Sequence, residues 1–309
     1  MKKTIGIGIA LAAIAALAVT SLTREGESQP AGATTLTIGI YAPTVPFASS
    51  QARLQYVQSL ARAIETSTGA KVQASSFTSL GQLTSKRVDF AIIEGQCHAE
   101  NSRGNLLAIA NVSGGTSRAW ALYSSQGPSL SQLSGKRLAY VKTGCDDTSF
   151  IENAMLESEV SSSYFSGKVA KPDVSAAVAE VASRKGAEGV FAPVGQQKGL
   201  TKVFDTGSVP NPAFVQLNKK LPGDVVNKVQ SVVRSFGGGG AISGWEAPNA
   251  NTYKSLSARM GRRVKRGIMS DPSPVRVDAK DVLQEPDTLD DTDLTPVGQH
   301  FEAPPARIE

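Results

Sequence analysis

The chain has 309 residues, 40% of them apolar and 19% charged, with a formal net charge of +5. That length is too great for one small domain and suits two lobes of roughly 100 to 150 residues, each burying its own core. The charge is unevenly spread: residues 270–309 hold ten acids and three bases, a net of −7 that leaves +12 for everything before them.

The chain opens on Met1-Lys2-Lys3 and an apolar run from Ile5 to Leu22, the pattern of an export signal. Residues 1–24 are read as a signal peptide or an N-terminal anchor. Ala16-Leu17-Ala18 offers a small-x-small cleavage site, and no cysteine stands near the end of the run to accept a lipid. Later segments fall short of the roughly 18 apolar residues that mark a membrane helix, so the membrane is met only through this segment. The mature part is predicted to be periplasmic or otherwise extracytoplasmic.

From Thr35, short apolar runs alternate with amphipathic stretches, which signals strands alternating with helices and hence an α/β fold with mostly parallel sheets. Leu36 to Ile40 reads as a strand. Gln51 to Ser67 then places Leu54, Val57, Leu60, Ala61 and Ile64 at helical spacing, with Gly69 as a stop. Lys71–Ser75 is a second strand, Ser79–Leu83 a short helix and Val88–Ile93 a third strand. The end of that strand, at Glu94-Gly95-Gln96, opens onto a ligand crevice if the sheet is doubly wound.

A strand at Ala119–Tyr123 leads to a short helix from Leu130, a glycine turn and a strand through Arg137–Val141. The loop Thr143 to Ser149 follows and is the leading site candidate, with Asp146, Asp147 or Thr148 able to cap the next helix. Further on come a helix at Val174–Lys185, strands at Gly189–Pro193 and Ala213–Leu217, and an amphipathic helix at Leu221–Phe236. Gly237–Gly240 reads as a connector, and Tyr253–Met260 closes the fold.

The basic stretch Arg259, Arg262, Arg263, Lys265 and Arg266, followed by Pro- and Asp-rich sequence, reads as a solvated basic-to-acidic disordered tail over residues 263–309 and not as a nucleic-acid site.

Chemistry-bearing motifs are sparse. The two histidines are His98 and His300; no Gly-x-Ser-x-Gly elbow and no phosphate-cradling Walker loop occurs. No enzyme activity and no cofactor is expected. Cys97 and Cys145 each follow a predicted strand that ends at the cleft. Two readings stand: a disulfide, as an oxidising compartment favours, or a Cys97/His98/Cys145 metal cluster with Asp146 and Asp147, which would make an exported metal-handling protein.

The order of elements, with Val88-Asp89-Phe90-Ala91-Ile92-Ile93-Glu94-Gly95 and then Leu133-Ser134-Gly135-Lys136-Arg137-Leu138-Ala139-Tyr140-Val141, resembles the phosphate/phosphonate family of ABC-transporter periplasmic binding proteins. Pro210 to Leu217, Leu221-Pro222, the Trp245 region and Tyr253-Lys254-Ser255-Leu256 are similar to that family's return segment, so the resemblance covers roughly Thr35 to Met260. It implies a type II periplasmic binding protein, with two α/β lobes joined by two crossing hinge strands. Lobe one would be residues 35–118 plus 213–262, and lobe two residues 119–212.

The function implied is capture of a small ligand in the interlobe cleft by a monomer that serves an ABC-type importer permease. By the same resemblance, Thr148 and Ser149 take the place that holds an anionic head at a helix N-terminus, and Tyr41, Thr44, Phe47 and Ser49 line the opposite wall. Glu94, Gly95, Gln96, Thr143 and Asp146 complete the candidate set. Asp146 and Asp147 would repel a phosphonate unless one is turned away as a cap, and no arginine clamp is evident. With Phe47, Phe191 and Pro193 in reach of the cleft, an apolar, cationic or lipid-like ligand stays open, and with it a lipid carrier or scaffold role.

Overall fold

A computed structural model describes residues 35–157, 160 and 162–261. The export segment and the basic-to-acidic tail lie outside the described residues. Among those described, no helix is long and apolar enough to cross a membrane.

The first strand, β1 (Thr35–Tyr41), pairs in parallel with β2 (Lys71–Ser76) and with β3 (Phe90–Ile93). Between β1 and β2 runs α1 (Ser50–Thr68). It starts where the Ser49 hydroxyl accepts the Ala52 N–H at 3.0 Å and stops at Gly69, whose left-handed φ of 71° lets its N–H reach Glu65 O. A short helix, α2 (Leu80–Ser85), follows β2, and another, α3 (Gly95–Glu100), follows β3. The sheet is completed by β4 (Asn105–Asn111), β10 (Ala213–Gln216) and β11 (Gly244–Glu246), in the order β11-β4-β10-β3-β1-β2.

The second sheet holds β5 (Ser117–Ser124), β6 (Arg137–Val141), β7 (Gly167–Lys171), β8 (Gly189–Pro193) and β9 (Thr201–Pro210), in the order β7-β6-β8-β5-β9. Its helices are a single turn, α4 (Asp147–Ser149), which continues as a π-helical turn over Phe150–Met155, and α5 (Val174–Ala182). Two more helices follow: α6 (Gly223–Ser235), which packs on α1, β4 and β11, and α7 (Ala250–Met260).

The fold is α/β, as the alternating pattern predicts, and each sheet is mixed. Parallel pairing holds for β1, β2 and β3 and for β6, β7 and β8; β10 runs antiparallel to β3 and β4, and β5 antiparallel to β8 and β9. Two of the reversed strands, β5 and β10, follow directly on the crossings; the third, β11, pairs antiparallel with β4 at the edge of the first sheet. Buried on both faces, β3 is apolar throughout, which is why Phe90-Ala91-Ile92-Ile93 reads as a continuous run and not an alternation.

The two sheets are joined by the segments Val112–Thr116 and Asn211–Pro212. Asn211 is fully buried and knots them together: its N–H donates to Thr116 O at 2.8 Å and its Nδ2 to Gly115 O at 2.6 Å. Against this knot sits Gly95, where an added Cβ would lie 2.0 Å from Pro210 O. α7 packs on α3 of the first lobe and on the π turn and β9 of the second, so the closing helix is shared; Asn153 Nδ2 donates to Met260 O at 2.7 Å.

Strands β4, β7, β9 and β11 and helix α3 are additional to those expected from pattern. β7 and β9 are sheet edges whose lysines, threonines and Asp205 dilute the apolar signal, and α3 is only six residues long. The strand expected from Val88 begins at Phe90, because the Asp89 carboxylate accepts the Thr37 N–H at 2.8 Å and so fastens the entry instead of extending the ladder.

Gly95→Ala is expected to lower the denaturant midpoint by the equivalent of ~1–3 kcal/mol, as overpacking against rigid backbone does. Gly81→Ala, where an added Cβ inside α2 meets only the Ser79 hydroxyl at 3.9 Å, an ordinary contact, is expected to raise stability by ~0.5–1 kcal/mol. Chemical denaturation of both variants checks the pair.

Candidate functional site

Carboxyl ends of the parallel strands in both sheets face each other. From the first lobe come the end of β1 with its following loop and the Glu94-Gly95-Gln96 corner after β3; from the second comes the loop Lys142–Ser149 after β6. They meet directly. Tyr41 is buried and its hydroxyl donates to Thr143 O at 2.9 Å, while Gln96 Nε2 donates to Cys145 O at 2.7 Å and Asp147 Oδ1 at 3.1 Å. At one edge, the Val174 N–H at the start of α5 reaches Pro43 O at 3.3 Å.

A covalent bond runs across the same seam. Cys97 in α3 and Cys145 in the loop after β6 form a disulfide with a Cα–Cα distance of 5.0 Å, and both residues are fully buried. Closing a loop of 48 residues this way restrains the unfolded chain by about 4 kcal/mol on a chain-entropy argument. The disulfide also corrects the metal-cluster expectation, since neither sulfur is left as a thiolate ligand. Among the described residues no group of three or more His, Cys, Asp or Glu is arranged to hold a metal ion. His98 packs edge-on to Tyr253 at 4.6 Å instead, with Nδ1 buried and unpaired.

Behind the seam lies a buried polar floor. The Glu94 carboxylate accepts from Thr44 N at 3.0 Å, Thr44 Oγ1 at 2.8 Å and Gly95 N at 3.0 Å. Arg118, 6% exposed, donates through Nη2 to Thr44 Oγ1 at 2.8 Å, through Nη1 to Thr44 O at 2.9 Å and through Nε to Asn211 Oδ1 at 2.7 Å. Thr44 is thus the relay between a buried acid and a buried base. Burial pushes the Glu94 carboxyl up, opposed by the Arg118 charge and the donors from Thr44 and Gly95; burial pushes Arg118 down, opposed by Glu94.

Arg118 is the residue that sequence reasoning missed; with its donors engaged by Thr44 and Asn211, it stands behind the seam and does not act as a clamp there. A charged residue one position ahead of a predicted apolar strand was its only trace: β5 begins at Ser117, two residues earlier than the pattern suggested, and turns Arg118 inward together with Trp120.

The remaining candidates are distributed as follows. Phe47 packs against Tyr56 at 5.8 Å on the α1 side of the loop and borders a shallow surface groove with Gly238–Gly240. Ser49 is the α1 cap. In the second lobe Asp146 adopts a left-handed φ of 43° and caps the Ser149 N–H at 3.1 Å, so one of the two acids is indeed turned into a cap. Asp147 accepts from Thr143 Oγ1 at 2.6 Å and Gly144 N at 3.1 Å, folding the loop on itself. Thr148 is exposed and Ser149 half-buried.

Among the described residues the space between the lobes includes an inner part, an outer part and a third of about 110 Å³ where Phe47, Ser49 and Arg53 of the first lobe face Asp173, Val174 and Ser175 of the second. The inner part, bordered by Thr44, Gln96, Trp120, Tyr140, Phe150 and Phe191, has a volume of about 10 Å³, room for one water at most. Trp120 and Phe150 fill it edge to face at 5.8 Å, and the Trp120 indole N–H is buried without a partner. The outer part, about 390 Å³, opens between α2 and the ends of β6 and β7.

No protein-family model matches this chain, and no curated protein sequence does either. Solved structures match well. The binding-protein component of an ABC phosphonate transporter from Pseudomonas aeruginosa superposes with a TM-score of 0.57 at 12% identity, over 74% of this chain and 87% of that one. PhnD1 from Prochlorococcus marinus, in complex with methylphosphonate, gives 0.57 at 13% identity, over 74% and 97%. XAC2383 from Xanthomonas citri, bound to ATP, gives 0.54 at 14% identity, over 74% and 98%. The fold is therefore that of the two-lobed type II periplasmic binding proteins.

Burial drives the His98 imidazole down to about 4, from an ordinary 6.5. A base depressed on folding contributes stability that is complete above pH 6.5 and is lost as pH falls through 4. Stability is expected to drop by about 3 kcal/mol between pH 7 and pH 4 from this residue alone. His98→Phe, which keeps an aromatic ring against Tyr253, is expected to flatten that part of the profile, measured by denaturation across pH.

Proposed function

We propose that this chain is an extracytoplasmic solute-binding protein that holds a small ligand between its two lobes and hands it to an ABC-type importer. The observation that carries the proposal is the convergence of strand ends. Carboxyl-terminal ends of parallel strands from two separate sheets meet across one seam, the place where open α/β sheets take ligands. The neighbours in structure are binding proteins, which supports a role without catalysis; an export-type N-terminus and a disulfide both agree with a compartment outside the cytoplasm.

We place the ligand along the seam that these residues build, Tyr41, Thr44, Glu94, Gly95 and Gln96 from the first lobe and Thr143, Asp146, Thr148 and Ser149 from the second, with Phe47 and Ser49 shaping the β1–α1 loop behind them; Tyr41 and Thr143 border its open side. Arg118 joins them as the base of the floor. The lobes would pivot on Val112–Thr116 and Asn211–Pro212, and a ligand would favour the closed state by the difference in its affinity for the two states. The pivot is restricted on one side, because disulfide-linked Cα atoms stay within about 4.4–6.8 Å of each other. A phosphonate is one ligand candidate, on the strength of the fold resemblance.

Ligand identity is open to a direct screen. Thermal-shift measurement against phosphate, methylphosphonate, carboxylates, amino acids and amines is expected to yield at least one solute that raises the melting temperature. At 100 times its Kd, such a solute stabilises by about 2.7 kcal/mol. No shift with any class would count against solute binding.

A further inference from the structure

The space behind the seam and the space in front of it differ in their fitness to receive a solute. The inner space, of about 10 Å³, is filled by Trp120 and Phe150. It is also held shut: Gln96 borders it, and its neighbour Cys97 is bonded to Cys145 of the opposite lobe. The Cα separation of 5.0 Å can grow by less than about 2 Å before the disulfide geometry fails. No acid or base lines it, and those behind it are already engaged, Glu94 and Arg118 with Thr44, and Asp147 with Thr143 and Gln96.

The outer space meets the requirements the inner one lacks. Its volume of about 390 Å³ falls in the range of small-molecule sites. It is bounded by Tyr41 and by Ser79 and Leu80 of the first lobe, and by Lys142, Lys171 and Pro172 of the second, so it is shared between lobes as a hinge-closing site must be. No carboxylate lines it. Lys171 is paired with Glu180, whereas the Lys142 side chain makes no hydrogen bond or ion pair among the described residues. Ser79 Oγ accepts the Gln82 N–H, which leaves its own proton free to donate. Leu80 and Pro172 supply an apolar wall. One uncompensated cation, one free hydroxyl and an apolar surface fit a small molecule with one anionic head and a short hydrocarbon part.

Resting on the solute-binding reading, we propose that the ligand site is this outer groove, that it takes a small organic anion, and that Lys142 is its principal binding residue. The inner cleft is a sealed joint between the lobes.

Calorimetric titration with methylphosphonate and with propionate tests this on the full chain with its disulfide intact. Wild-type protein is expected to bind at least one of the two, more weakly as salt rises. Lys142→Met, which keeps the stem and removes the charge, is expected to weaken that binding by at least about tenfold, and Lys142→Arg to restore most of it. Trp120→Phe, in the inner space, is expected to leave the affinity within about twofold. If Trp120→Phe weakens binding and Lys142→Met does not, the ligand enters the inner cleft; the outer-groove assignment is then wrong while solute binding stands. If neither anion binds the wild-type protein, the assignment to a small organic anion is overturned, and solute binding itself is then judged by the wider screen.

Discussion

The arrangement of this protein depends on the bond between Cys97 and Cys145. It joins the helix after β3 to the loop after β6, that is, one lobe to the other at the point where their strand ends meet. The lobes of a hinged binding protein need freedom to part, yet here the parting is capped at one side by a covalent length. The hydrogen bonds from Tyr41 to Thr143 and from Gln96 to Cys145 and Asp147 then act on surfaces already held in register. Their entropic cost is correspondingly lower, since the tether has ordered both partners.

Behind the seam, the polar floor obeys a second constraint. A buried carboxylate and a buried guanidinium are expensive unless their hydrogen-bonding capacity is met. Thr44 meets it for both, accepting from Arg118 and donating to Glu94, while Asn211 takes the third Arg118 bond and fastens the two crossing segments. Charge, hinge and seam are therefore one connected structure. Rotation about the hinge would have to preserve the Arg118–Asn211 contact or expose two charges together, so small pivots are cheaper than wide ones.

Much of the architecture was legible in the order of residues. Leu36 to Ile40, the spaced apolar residues of α1 and its Gly69 stop, and the Arg137–Val141 strand follow directly from periodicity and capping, because in each the local signal and the tertiary role agree. The edges β7 and β9 were hidden since about half their residues face solvent, whereas β4, with the unbroken apolar run Leu106 to Ala110, carries the same buried-strand signal as β3 and was legible. The loop Thr143–Ser149 and the corner at Glu94–Gln96 could be placed at strand ends, but not their mutual contact, which depends on two sheets closing on each other. Arg118 was hidden by the same limit: an arginine is ordinarily exposed, and only the three acceptors assembled by Thr44 and Asn211 make its burial tolerable.

The central claim is that the lobes stay joined at the Cys97–Cys145 seam in the native protein. The most direct check is the rate at which dithiothreitol reduces this disulfide under native conditions, followed by thiol labelling and intact mass. With both cysteines fully buried, reduction is expected to be slow and to track global unfolding as denaturant is added. Rapid reduction of the folded protein, or two thiols already free at the outset, would contradict the account.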